Sequence, residues 1–232
     1  MDEQNNIEIF GDGIKLLNNV IEFANAAGFP ELLKGNILYL RDKIEGKKKA
    51  NLVNTFLKIK KKLDETGIPY IIKPVELKVS VSILEEASLE EDDFMQELWA
   101  NLIMNASIEN FKTNVNITCV DVIRRLTPQD AKILLTIYKN PYSQIKNGVI
   151  TKDLPTSIIF YNGNGERDEL NFRIDEEIEF SLGNLERLGC IAGGTVFGSG
   201  TDYHLVSPTV LGKKVYETCT LDFDNCEESQ DM

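Results

Sequence analysis

The sequence predicts a mainly α-helical fold with a small β component: a helical N-terminal portion over residues 1–126, a winged-helix-like module over 127–220 and an acidic tail at 221–232. Three observations predict it. Apolar residues recur at helical spacing through the first half, as in Leu52, Phe56, Ile59 and Leu63. Helix starts and stops are punctuated by Ser and Thr caps and by Gly and Pro. After Thr127 the pattern shifts to helices interrupted by β-rich and glycine-rich stretches, in the order helix, helix, hairpin, closing helix. That is the order of a winged helix, with a β-rich insertion at about 149–174.

Taken along the chain, Ile14, Leu17, Val20 (or Ile21) and Ala24 predict a helix over 14–27, stopped by Gly28-Phe29-Pro30. A second helical pattern runs through "LLKGNILYLRDKI". A third runs through "NLVNTFLKIKKKLDETG", with Gly67 and Pro69 as its stop. Lys58, Lys60, Lys61 and Lys62 crowd its C-terminal end, where cations suit the helix dipole. "IPYIIKP" reads as an extended connector, and Val75, Val79, Ile83 and Leu84 mark a helix from Pro74 to about Ala87.

The stretch "SLEEDDFMQELWANLIMNAS" sets four consecutive carboxylates, Glu90, Glu91, Asp92 and Asp93, ahead of the single tryptophan. Ser88 with Glu91 three residues on predicts a capping box, in which hydroxyl and carboxylate each satisfy an orphan amide of the first turn. The remaining acids offset the positive helix end by about 0.3–1 kcal/mol each. Behind them Met95, Trp99 and Leu102 form one stripe, widened by Phe94, Leu98 and Ile103. A metal or acid/base site would draw acids inward from several elements beside a histidine or a phosphate-binding loop. The cluster therefore predicts a helix start, and no catalytic, metal or cofactor residue is assigned.

This region and its flanks carry a resemblance. "ILEEASLEEDDFMQELWANLIMNAS", followed after a spacer by "VDVIRRLTPQDAKILLTIY", resembles the Abi-alpha family of bacterial abortive-infection proteins. The family features fall at Glu90 and Glu91, at Leu98, Trp99, Ala100, Asn101 and Leu102, and at Leu126 to Pro128. "KKKLDETGIPYIIKP" and "SLGNLERLGCI" extend the likeness over roughly residues 34–218. The resemblance implies protection of bacterial populations from phage by halting infected cells. It implies no reaction and supplies no catalytic residues.

In the C-terminal part, Thr127-Pro128 reads as N-cap and first helical residue of a helix burying Ile133, Leu134, Ile137 and Tyr138. "NGNG" at 162–165 predicts a turn. A helix over about 175–188 bears Ile178, Leu182, Leu185 and Leu188 and stops at Gly189. A hairpin follows through Gly198-Ser199-Gly200, and Ser207-Pro208 predicts the start of a last helix. The helix in the recognition position holds five acids against Arg187, and residues 190–206 contain no Lys or Arg. Cations on phosphates supply nearly all non-specific DNA affinity. Asn184 is the one obvious base reader, so this module predicts protein contact or a structural role rather than groove binding.

The net charge is −12, yet residues 34–62 contain ten Lys/Arg and two acids. Such polarity suits self-association or an acidic partner. The patch at Lys47, Lys48, Lys49, Lys58, Lys60, Lys61 and Lys62 is the predicted partner- or anion-binding surface, open to nucleic acid, an anionic membrane surface or the acidic half of another subunit. The four cysteines lack CxxC spacing and the one histidine, His204, has no Ser/Asp constellation in the sequence. Reduced thiols, a polar N-terminus and the lack of a span of about 20 apolar residues predict the cytoplasm. The function this predicts is a non-enzymatic interaction protein. The alternatives are a nuclease holding a divalent metal on residues 90–93, and a winged-helix DNA-binding regulator reading through Asn184 and Arg187.

Overall fold

The computed structural model describes residues 46–67, 70–111, 113–161, 170–196 and 200–222. The helices expected over 14–27 and 32–44, with Lys34, Arg41 and Lys43, lie outside the described residues. So do the 162–165 turn, Gly198 and Ser199 of the hairpin turn, Cys226 and the tail beyond 222. The fold is mostly helical with one four-stranded antiparallel sheet. The chain divides into two compact units, one of residues up to Val120 with Thr218 onward, the other Asp121–Glu217.

In the first unit, α1 (Gly46–Thr66), α2 (Leu77–Leu89) and α3 (Asp93–Ser107) pack together, with α1 against both others. The stripe foreseen on α1 supplies Phe56 and Ile59 to a core with Ile83, Ala87, Met95, Leu98, Trp99 and Leu102. Gly67, at φ 59°, ends α1 in the left-handed region that a glycine enters without a Cβ clash. Of the expected connector, residues 70–74 are described and form no helix. Ile72 bridges to Ile108, and the Lys73 N–H donates to the Ser107 carbonyl at 2.8 Å. The short α4 (Ile117–Ile123) follows.

The second unit opens on α5 (Pro128–Tyr138), where both halves of a capping box are present. The Thr127 hydroxyl accepts from the Asp130 N–H, and the Asp130 carboxylate accepts from the Thr127 N–H. After α6 (Tyr142–Ile145) come β1 (Val149–Ile150) and β2 (Ile159–Phe160), then α7 (Glu176–Arg187), β3 (Ile191–Val196), β4 (Gly200–Pro208) and α8 (Val210–Cys219). The sheet order is β2-β1-β4-β3, with Val149 opposite Val206 and a bulge between Gly193 and Gly194. Within the expected β-rich stretch, strand is confined among the described residues to β1 and β2.

The last helix starts later than its sequence suggests. Ser207 and Pro208 close β4, and Thr209 is the cap, its hydroxyl accepting from the Gly212 N–H at 2.9 Å. Pro208 sits opposite Ile191 at the end of the strand, so sheet pairing claims the residues that a helix start would otherwise use. Beside the cap, the Tyr138 hydroxyl accepts from the Thr209 N–H at 2.8 Å and donates to the Cys190 carbonyl. Burial, offset in part by the Thr209 bonds, pushes Tyr138 up to about 12.

Candidate functional site

The four-acid run lies where α2 hands over to α3, and each member has a definite partner. Asp92 is the N-cap of α3, its carboxylate accepting from the Met95 N–H at 3.0 Å. Glu90 accepts from the Asp92 N–H at 2.9 Å. The expected Ser88–Glu91 capping box is therefore corrected. Ser88 belongs to the last turn of α2, is buried, and donates its hydroxyl to the Glu85 carbonyl. The buried face of Leu84, Ala87 and Ser88 carries α2 through to Leu89. Asp92, with extended φ −76° and ψ 127°, is then the residue shaped to cap α3. Asp92→Ala is expected to lower stability by about 0.5–2 kcal/mol in urea denaturation. Glu91→Gln, which leaves the cap intact, is expected to change it by about 0.5 kcal/mol or less.

The other acids meet the lysines of α1. Glu91 pairs with Lys47 at 2.7 Å, Asp93 with Lys58 at 2.6 Å, and Glu97 with Lys58 at 3.0 Å and Lys62 at 2.8 Å. Lys58 is the best shielded of them, its side chain only 15% exposed. Burial works against its charge, but hydrogen bonds to Asp93 and Glu97 outweigh it and raise its pKa. Burial likewise pushes Glu97 up, and the bonds from Lys62 and Lys58 reverse that and hold it below 4.5. A carboxylate depressed on folding stabilises the fold above its unfolded pKa and loses that contribution as pH falls through the folded value. The stability gap between wild type and Glu97→Gln is thus expected to be constant above pH 4.5 and to close on acidification. Denaturation series across that range read it; the gap is about 1 kcal/mol or less after solvent screening.

These pairs reassign the lysine patch. Lys58–Lys62 stand ahead of the last turn of α1, which holds no basic residue, and Lys58 and Lys62 answer the acids near the start of α3 rather than the dipole of their own helix. Lys47, Lys58 and Lys62 are engaged there, and Lys61 reaches Glu65 on its own helix at 3.8 Å. Lys48 and Lys60 are exposed with no ion pair among the described residues. Lys49 is on α1, with its side chain outside the described residues.

On α7, the base reader foreseen at Asn184 faces its own fold. Its amide donates to Asp130 at 2.7 Å and to the Arg125 carbonyl at 3.2 Å, and its oxygen accepts from Arg187 at 2.6 and 3.2 Å. Glu186 accepts from the Gly193 N–H at 2.9 Å and the Tyr203 hydroxyl at 2.7 Å. His204 bonds Asp202 through Nδ1 and the Phe172 carbonyl through Nε2. Burial opposes its charge, and those two bonds outweigh it and raise its pKa. Left facing solvent are Glu176, Glu177, Glu179 and Phe180, the last 71% exposed. Among the described residues, no group of three or more His, Cys, Asp or Glu is placed to hold a metal ion. Cys119, Cys190 and Cys219 are buried and form no disulfide among the described residues. No helix among the described residues is long and apolar enough to cross a membrane.

A family model described as abortive infection alpha matches residues 47–219. The chain belongs to the abortive infection alpha family. No curated protein and no solved structure matches it.

The family's residues fall within α3, at its entry, and at the start of α5, where Leu126 to Pro128 lead into the helix. Leu98, Trp99, Ala100 and Leu102 are buried, with Trp99 1% exposed. Asn101 has another part, which its sequence context does not reveal. Its amide donates to the Cys219 carbonyl at 2.7 Å, and Asn105 one turn on donates to those of Thr218 and Thr220, each at 2.9 Å. Two asparagines at i and i+4 thus satisfy carbonyls at the end of α8 that a helix leaves unpaired. The only trace in the sequence is a pair of amides on a face otherwise apolar. In this abortive infection alpha chain the family stretch therefore builds a core and fastens a helix end.

Proposed function

We propose that this abortive infection alpha protein acts by binding rather than by catalysis, as a sensor or effector in the cytoplasm of a phage-infected bacterium. One observation carries the reading: Glu90, Glu91, Asp92 and Asp93 all serve the fold, two on backbone amides and two on lysines. Carboxylates disposed to hold a divalent metal would converge on a shared point instead. Three buried cysteines in no disulfide among the described residues support the cytoplasm. A winged-helix-like use of the second unit is supported by the succession α5, α6, β1, β2, α7, β3, β4 with β1 beside β4. The acids that α7 leaves exposed favour protein contact over a nucleic-acid groove.

The test is a pull-down from infected cells, comparing wild type with Lys48, Lys60 and Lys61 changed to Ser. That variant leaves the Lys47–Glu91 and Lys58–Glu97 pairs in place. Partners captured by wild type and lost from the variant support the reading, and identical captures remove the lysine face from it. Metal-dependent cleavage of RNA or DNA lost in Glu91→Gln would establish the nuclease alternative. Sequence-selective DNA binding abolished by changing Asn184 and Arg187 would establish the regulator.

A further inference from the structure

Two exposed helix faces on this chain are complementary. On α7, Glu176 and Glu177 stand one turn before Phe180, and all three are exposed. An aromatic ring 71% exposed and flanked by carboxylates is an unusual solvent residue, since burying an aromatic contributes more than almost any other contact. On α1, Leu57 is 39% exposed and floors a shallow depression with Lys60, Lys61, Asp64 and Glu65. There the order is reversed: an apolar residue is followed one turn later by Lys60 and Lys61, the second reaching Glu65 at 3.8 Å. Laid against each other, the faces bring Phe180 onto Leu57 and Glu176 and Glu177 toward Lys60 and Lys61.

We propose that the α7 face of one molecule docks on the α1 face of a second copy. The occupant is this chain itself because each face finds its chemical complement on it, and two α7 faces would repel. Each contact pairs the α7 face of one copy with the α1 face of another, so every molecule carries both halves of the interface. Phe180 is the anchor and the charges set register and encounter rate. The inference rests on the binding reading above and names the partner for that surface.

The experiment is sedimentation velocity on the full chain over rising concentration at low and high salt. Wild type is expected to shift to larger species by mass action, less so at high salt. Phe180→Ala is expected to weaken association about tenfold or more. Glu176→Lys with Glu177→Lys, and separately Lys60→Glu with Lys61→Glu, are expected to sediment as monomers and to associate again when mixed. Circular dichroism checks each fold, and Lys60→Ser with Lys61→Ser replaces the reversal if that variant misfolds. A wild type that stays monomeric, or a mixture of reversed variants that does not recover, overturns the proposal. Monomeric wild type together with lysine-dependent captures from cells would remove self-association alone. Self-association without such captures would keep it and remove the wider reading.

Discussion

Trp99→Ala is expected to cost about 3–5 kcal/mol, the range for emptying a large aromatic from a core that cannot collapse around the gap. Trp99 is 1% exposed, on a helix whose buried residues also include Met95, Leu98, Leu102 and Ile103, and α1 packs on the same helix. The loss is a large fraction of the stability of a typical domain. Urea denaturation followed by far-ultraviolet circular dichroism reads it. Trp99→Phe, which keeps most of the volume, is expected to lose less than half as much. Equal losses would mean that the indole is not filling a core.

Gly212→Ala is expected to run against helix propensity. In an ordinary helix interior the change stabilises by about 1 kcal/mol. Here an added Cβ would overlap the Cys190 carbonyl oxygen and the Tyr138 ring and hydroxyl. The carbonyl is backbone and Tyr138 is held between Cys190 and Thr209, so neither yields cheaply. Overpacking of this kind costs about 1–3 kcal/mol. Thermal unfolding checks the sign. Adding Tyr138→Leu is expected to relieve only part of the strain, because the Cys190 carbonyl stays where it is.

What could be read in advance follows the range of the interaction. The Thr127 cap lies wholly in local sequence and forms as expected, and Asp130 completes it into a box. The α1 stripe and the buried face of α3 were likewise legible, because periodicity reports burial directly. At Ser88 the local signal was ambiguous. Ser88 and Asp92 both stand ahead of the apolar run, and the choice turned on how far the core carries α2. The ion pairs between α1 and α3 join residues 35 to 44 apart, and no local pattern announces them. The same holds for Asn101 and Cys219, 118 apart, and for Asn184 and Asp130, 54 apart. An asparagine that looked like a reader of bases is occupied within its own fold for this reason: sequence shows what a side chain can bond, and the fold decides what it does bond.

The carboxylates at 90–93 are the point on which the functional account turns. Titrating the full chain with Mn²⁺ and following the free-ion signal by electron paramagnetic resonance addresses them directly. The account predicts no stoichiometric binding at the run and an unchanged titration for Glu91→Gln combined with Asp93→Asn. A saturable site of one or two ions, abolished by that pair of substitutions, would contradict it.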